Sequence, residues 1–300
     1  MSNLAYIKHK DIDFKKWDET ILHSEFPTVF AQSYYLNATS PGWDALVINN
    51  YESIFPLTWK NKLGITYLPQ PYFTSQLGAF GKVNPQIEKE FRDFIEKKYK
   101  LIEIELNVSN QLDSTYNRPK NTFVIKYANQ FKYNQNTTRN IAKARASGLV
   151  VKQVPDLEIL DLSEKLLNPF LLEELKLPKN EVAKFGSLLV NCMENHSLLT
   201  FKTVNETNEI KAMGHFVFNK RYALFLKGTT IDKQDNSGSM HILISYAIDY
   251  FKDKCEIFDF GGGSLNAGLA GFYKGLGGTQ LNYYFLRINN LNPLLKLLKK

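Results

Sequence analysis

Hydrophobic positions along this chain alternate between two periods, and the order in which those periods follow one another repeats once. Residues 11–23 place Trp17, Ile21 and Leu22 on one helical face, and 31–38 predicts a second helix with Ser33 near its start. Strand patterns follow at 43–48, 53–59 and 65–68, the first two joined by the turn signal Asn49-Asn50-Tyr51-Glu52. Pro69-Gln70-Pro71 ends the third, because proline cannot donate to a strand ladder. A helix over 86–98 with Ile87, Phe91, Phe94 and Ile95 on one side precedes a strand at 101–106, where Ile102, Ile104 and Leu106 alternate with Glu103 and Glu105. Another strand is predicted at 122–127.

The second half runs in the same order. Helices at 157–172 and 180–195 precede strands at 199–204, 210–218 and 222–229, with Asn219-Lys220-Arg221 as the tight turn between the last two. A helix at 239–253 and strands at 256–260 and 281–288 complete it. Each half thus reads as helices, an antiparallel meander, one helix and one more strand. The predicted class is α/β (α+β), two tandem domains with mixed, largely antiparallel sheets. The break falls near 128–136, where Asn129, Gln130, Asn134, Gln135 and Asn136 cluster, giving domains 1–130 and 131–300.

Composition changes this picture little. The 300 residues are 44% hydrophobic and 13% aromatic, ample for two packed cores. A net charge of +7 suits polyanionic partners such as CoA, nucleotide-linked sugars or tRNA, and equally serves solubility. Cys192 and Cys255 sit in apolar contexts without a nearby cysteine, as buried free thiols of a reducing compartment do. No CxxC or HxxxH spacing occurs, so no metal site is expected, and no apolar run reaches the roughly 18 residues of a membrane span. The N-terminus lacks an apolar leader core, which points to a cytoplasmic protein. The tail 293–300, with leucines and three lysines, is amphipathic and either rests on an anionic membrane or packs on the domain.

Chemistry concentrates near the end of the chain. Phe258-Asp259-Phe260-Gly261-Gly262-Gly263 reads as a short strand running into a glycine turn, and Gly268 to Gly278 as a short helix with a second turn. Glycines after a strand let backbone N–H groups approach a ligand. Neither GxxxxGK[ST] nor GxGxxG is present, since Asn266 stands where a third glycine belongs. Asp259, inside an apolar run, either orients a substrate amine and takes its proton or caps the following glycine N–H groups.

Asn136-Thr137-Thr138-Arg139-Asn140-Ile141-Ala142-Lys143-Ala144 resembles the signature that opens the second domain of Fem-type (FemABX-like) aminoacyltransferases, a tandem GNAT-like acyltransferase fold. Asp259-Phe260-Gly261-Gly262 and Phe272-Tyr273-Lys274-Gly275-Leu276-Gly277-Gly278 resemble that family's C-terminal pair. Phe30-Ala31-Gln32-Ser33 and Pro71…Gln76-Leu77-Gly78 resemble landmarks of its first domain. Members that extend the peptidoglycan cross-bridge carry phenylalanine-lysine in the C-terminal motif; here Tyr273 occupies the lysine position and Lys274 follows it.

The resemblance implies an N-acyltransferase that moves an aminoacyl or acyl group onto an amine of a small or cell-envelope substrate. No tightly bound cofactor is implied; aminoacyl-tRNA or acyl-CoA would be the donor substrate, with tRNA as a partner, and nothing fixes an oligomeric state. A CoA-dependent N-acetyltransferase with an atypical loop, or a non-catalytic binding protein of the same fold, are the alternatives. CoA-using relatives seat pyrophosphate on a Q/R-x-x-G-x-G/A loop at a helix N-terminus. The equivalent stretch is Asp235-Asn236-Ser237-Gly238-Ser239-Met240, where only Gly238 fits and Asp235 brings the wrong charge. The first-domain counterpart, 78–86, has Gly78 and Gly81 without the pattern, so that domain is not expected to hold the donor. Asp259 and Lys274 are the expected catalytic pair, Lys274 meeting the oxyanion. Arg139, Lys143, Gly238, His241, Gly261, Gly262, Gly263 and Tyr273 are the expected binding residues. His215, mid-strand, reads as a hydrogen-bonded core histidine.

Overall fold

The structure, a computed structural model, describes residues 3–111, 117–232, 234–262 and 266–292. Gly263 and the 293–300 tail lie outside the described residues. The chain divides into two compact units, Met1–Lys120 with Asn282–Lys300, and Asn121–Leu281.

In the first unit the elements run β1 (Leu4–Ile7), α1 (Phe14–Leu22), α2 (Ser33–Thr39), β2 (Asp44–Ile48), β3 (Ser53–Leu57), β4 (Lys60–Lys62), β5 (Ile65–Pro69), β6 (Phe80–Gly81), α3 (Pro85–Lys98) and β7 (Leu101–Glu105). Strands β1, β2, β3 and β6 form an antiparallel sheet. The β2–β3 turn takes left-handed backbone at Asn49, Asn50 and Tyr51, which the two asparagines tolerate well. β4 pairs antiparallel with β5 and β5 parallel with β7. Asp13 caps α1 through the Lys16 N–H, and Asn84 caps α3 through that of Ile87 with Pro85 following. Trp17 and Ile21 on α1, and Phe91 and Ile95 on α3, are fully covered, as their spacing predicts.

β8 (Asn117–Lys126) carries the chain into the second unit. There follow α4 (Gln135–Ala146), β9 (Val150–Gln153), α5 (Asp156–Leu162), α6 (Lys179–Glu194), β10 (Leu198–Val204), β11 (Ile210–Phe218), β12 (Tyr222–Thr230), α7 (Ser239–Phe251), β13 (Ile257–Asp259), α8 (Ala267–Gly275) and β14 (Thr279–Asn289). From Asn282 onward β14 belongs to the first unit, and within that unit it pairs with β7 from Phe285 onward. The sheet of the second unit has the order β8-β13-β12-β11-β10-β9, antiparallel throughout except for β12 beside β13. The expected class holds: mixed α/β with largely antiparallel strands. Phe123, Phe201, Phe216, Phe251, Phe258 and Phe260 form its core against α7. Each such ring is worth about 1.5–3 kcal/mol in burial, so the sheet beneath the site is a firm frame.

The expected 157–172 helix is real but not uniform. After α5 the chain widens into two π-helical turns, Ser163–Leu167 and Phe170–Glu174. Short β1, β4, β6 and β9 add strands that the periodicity did not mark, being two to four residues long. Cys192 and Cys255 are buried and free, and burial pushes both thiols up, Cys255 to about 12. No helix among the described residues is long and apolar enough to cross a membrane.

Candidate functional site

The site begins with an irregularity in the sheet. β11 and β12 slip register between His215 and Phe216, so that His215 pairs with Lys227 but Phe216 with Phe225. Leu226 is the extra residue, and a bulge of this kind bends its strand. β13 pairs with β12 only at Tyr222–Leu224, then ends at Asp259. β12 runs on alone to Thr230 on that side. Its Gly228, Thr229 and Thr230, with Ile231, line a cleft of about 690 Å³.

The cleft floor is the N-terminus of α7. Gly238 caps it at φ +83°, and a Cβ there would lie 2.3 Å from the Asn140 carbonyl oxygen of α4. Only glycine satisfies both demands. This gives the Arg139–Ala144 motif a physical reading: Ile141 and Ala144 are buried, Asn140 reaches the cleft, and Arg139 and Lys143 face out. Lys143 Nζ donates to the Asn236 carbonyl (2.7 Å) and side-chain oxygen (3.2 Å), holding the cleft loop.

Asp235 turns inward on that loop. Its carboxylate accepts the Ser237 N–H at 2.9 Å and the Ser239 hydroxyl. Burial alone would raise its pKa, but those bonds and the charge of Lys211 outweigh it and hold the group below the usual carboxylate range. An anion therefore already stands at the helix terminus.

His241, in the first turn of α7, lines the cleft half-buried, its ring set edge-on to Phe272 of α8 at 4.9 Å. Burial lowers its pKa below the ordinary 6.5, so the imidazole is neutral at pH 7. Neither ring nitrogen has a hydrogen-bond partner among the described residues. Leu269 and Phe272 close one side, and the π-helical stretch supplies the other through Lys165, Leu166, Phe170, Glu173 and Glu174. His215 pins that stretch to the sheet. Ser163 Oγ donates to the Ile159 carbonyl (2.6 Å), so it must accept from His215 Nε2 (2.9 Å), leaving Nδ1 to accept from Thr200 Oγ1 (2.7 Å). Full burial pulls this histidine to about 3, a neutral core group.

Of the sequence-predicted residues, Gly238 and His241 line the cleft, and Lys143 bonds to its rim. Asp259, Lys274, Gly261, Gly262, Tyr273 and Arg139 do not line it. Asp259 is fully buried, accepting from Thr122 Oγ1 (2.6 Å), the Tyr222 hydroxyl and the Gly261 N–H (2.7 Å). Gly261 is at φ +85°, where a Cβ would stand 2.6 Å from the Phe225 carbonyl oxygen, and the Gly262 N–H donates to Thr122 Oγ1 (3.1 Å). Those amides are spent inside the fold. Tyr273 is buried against Phe260 and Phe123, and burial, then the charge of Asp259, pushes its phenol up. Lys274 is exposed, its Nζ 5.8 Å from the centre of the Phe123 ring. Arg139 borders a separate shallow depression with Tyr133, Gln135, Asn136 and Thr138. Among the described residues no three His, Cys, Asp or Glu side chains converge as a metal site.

This second unit, a bulged meander with a parallel strand diverging beside a helix N-terminus, sits in a chain whose fold is that of the GNAT-like and Fem-type acyltransferase structures. FemX superposes with a TM-score of 0.69 at 11% identity, covering 96% of this chain and 99% of FemX. L-PGS from Bacillus licheniformis gives 0.58 at 13% identity over 94% of both chains. A GNAT-family acetyltransferase from Colwellia psychrerythraea gives 0.55 at 11% identity, covering 96% of this chain and all of that one. At such identities the likeness is one of fold. No protein-family model matches the sequence, and no curated protein matches it significantly.

Proposed function

We propose that this chain is an N-acyltransferase of the Fem type, which moves an aminoacyl or acyl group from an activated ester onto an amine in the second-unit cleft. The observation that carries this reading is the cleft at the β12–β13 divergence, with the imidazole of His241 inside it and without a hydrogen-bond partner among the described residues. Acyl transfer asks a protein to hold an amine against a carbonyl, accept a proton and exclude bulk water. An open strand edge, a neutral base and the apolar side chains of Leu166, Phe170, Leu269 and Phe272 meet those demands. The comparisons support a transferase of this fold and leave donor and acceptor as proposals.

Asp235 favours an aminoacyl-tRNA donor over CoA. A pyrophosphate at the α7 terminus would meet a carboxylate that already takes the Ser237 N–H and the Ser239 hydroxyl. The outward Lys143, Arg139 and Arg145 of α4 offer a tRNA end its phosphate contacts instead.

The test is to incubate the full chain with charged tRNA or with acetyl-CoA and a panel of small and cell-envelope amines, and to seek amide products by mass spectrometry. Amide formed from charged tRNA is expected. Absence of product from every donor, with saturable ligand binding retained, would instead make this a binding protein of the same fold.

A further inference from the structure

Within the proposed transfer reaction, the cleft also bears on which proton moves and which amine is served. His241 is the one histidine on the cleft surface among the described residues, and its nitrogens are free of described partners. Phe272 sets the ring edge-on and fixes its plane. The charged groups that line the cleft with it are Lys165, Glu173 and Glu174 on the π-helical wall and Asp235 on the loop, and Lys143 bonds to Asn236 of that loop. Lys165 is paired with Asp161 (2.8 Å) and Asp235 is bonded within its loop.

We propose that His241 is the general base of this cleft and that the acceptor is a weakly basic primary amine, of the α-amino or amino-sugar kind, not a lysine side chain. The step balances without a co-reactant. The neutral amine attacks the donor carbonyl, the C–N bond forms and the bond to the leaving oxygen or sulfur breaks. The ammonium proton of the adduct passes to His241 and from the imidazolium to the leaving group.

A base that stays neutral at pH 7 cannot strip an amine whose pKa lies far above its own; it needs an amine that already arrives deprotonated. At pH 7 an α-amino group of pKa about 7.8 is neutral roughly 300 times more often than a lysine side chain of about 10.4. Burial of the ring, at a helix end that disfavours positive charge, keeps His241 in the form that accepts.

Two measurements on the full chain test this. The first is NMR of histidine labelled at the imidazole carbon, with His241→Gln identifying the resonance. Its midpoint is expected below 6.5, and glycinamide, a weakly basic amine, should shift it saturably at pH 7.5 while butylamine shifts it at least tenfold less well. A midpoint at or above 6.5, or equal response to the two amines, overturns the proposal whether or not a donor is known. The second is the pH profile of amide formation. His241→Gln should lower kcat by roughly 10²–10⁴ with KM little changed, flatten the acid limb, and regain rate with added imidazole. Wild-type kcat in the variant also overturns it. Failure of every donor to react would count against the transferase reading alone, since the NMR result stands apart from turnover.

Discussion

Replacing Asp259 separates a structural carboxylate from a catalytic one. Its two oxygens gather the Thr122 hydroxyl of β8, the Tyr222 hydroxyl of β12 and the Gly261 N–H of the turn after β13, and the carboxylate is fully buried in the second unit. Asp259→Ala leaves three donors facing a void. A buried donor without an acceptor costs about 1–3 kcal/mol. The hydroxyls of Thr122 and Tyr222 can rotate towards other oxygens, so the lower end applies to them, and a total loss of about 3–5 kcal/mol is expected. Asp259→Asn keeps the volume and an oxygen for Thr122 and Gly261, but sets an N–H₂ against the Tyr222 hydroxyl. That should cost about 1–2 kcal/mol. The assay is urea unfolding followed by circular dichroism, with slope and midpoint fitted for all three proteins. The same variants are then assayed for amide formation at a temperature where each is folded. If Asp259→Ala loses less than about 1 kcal/mol, the hydrogen-bond reasoning is wrong. If stability holds while transfer vanishes, Asp259 belongs to the chemistry and the site must be redrawn around β13.

Further outcomes follow from other positions. Gly238→Ala should cost at least about 2 kcal/mol and disturb the cleft, because φ is +83° and the new Cβ meets a backbone oxygen 2.3 Å away; an unchanged melting temperature would contradict this. His215 titrates near 3 when folded and near 6.5 when unfolded, so below pH 6.5 the unfolded chain binds a proton the native one refuses. Stability should therefore be full above pH 6.5 and fall towards pH 3 by up to about 1.4 kcal/mol per unit. His215→Leu should flatten that slope, and an equally steep slope in the variant would refute the assignment. Calorimetry with acetyl-CoA should show weak binding that Asp235→Asn strengthens, whereas tight binding to the wild type would undo the loop argument. Lys274→Ala should change kcat less than tenfold, given a side chain lying over Phe123; a loss of 10²–10³, the scale of one oxyanion donor, would put it in the reaction.

What the sequence revealed followed the range of the interactions involved. Helical and strand periods are local, and they located α1, α3, α6, α7 and the β10–β12 meander closely. Gly238 stands out in the sequence because it is the one residue that fits the loop the family resemblance implies, and His241 because it begins the helix beside that loop. Asp259 was readable in two ways, and its partners show why. Thr122 lies 137 residues away and Tyr222 lies 37 away, so no window around Asp259 contains what satisfies it. Lys274 adjoins the buried Tyr273, and which way it faces depends on how α8 is seated, a tertiary matter. The wall residues Glu173 and Glu174 carried no signal, since a pattern of 3.6 residues per turn does not reveal two wider turns inserted within it.

Those wider turns make the cleft a matter of residue count. Each π-helical turn holds about one residue more than an α-helical turn, so the chain between Ser163 and Glu174 carries slack that an ordinary helix lacks. Deleting one residue there would let a turn tighten to α geometry and absorb the loss, so the residues beyond it would keep their direction about the helix axis. Phe170, Glu173 and Glu174 would stay against the cleft, with His215 still holding Ser163 in place. The same deletion within the regular α7 would instead turn every side chain beyond it by about 100°, so this wall tolerates a change of length that the cleft floor does not.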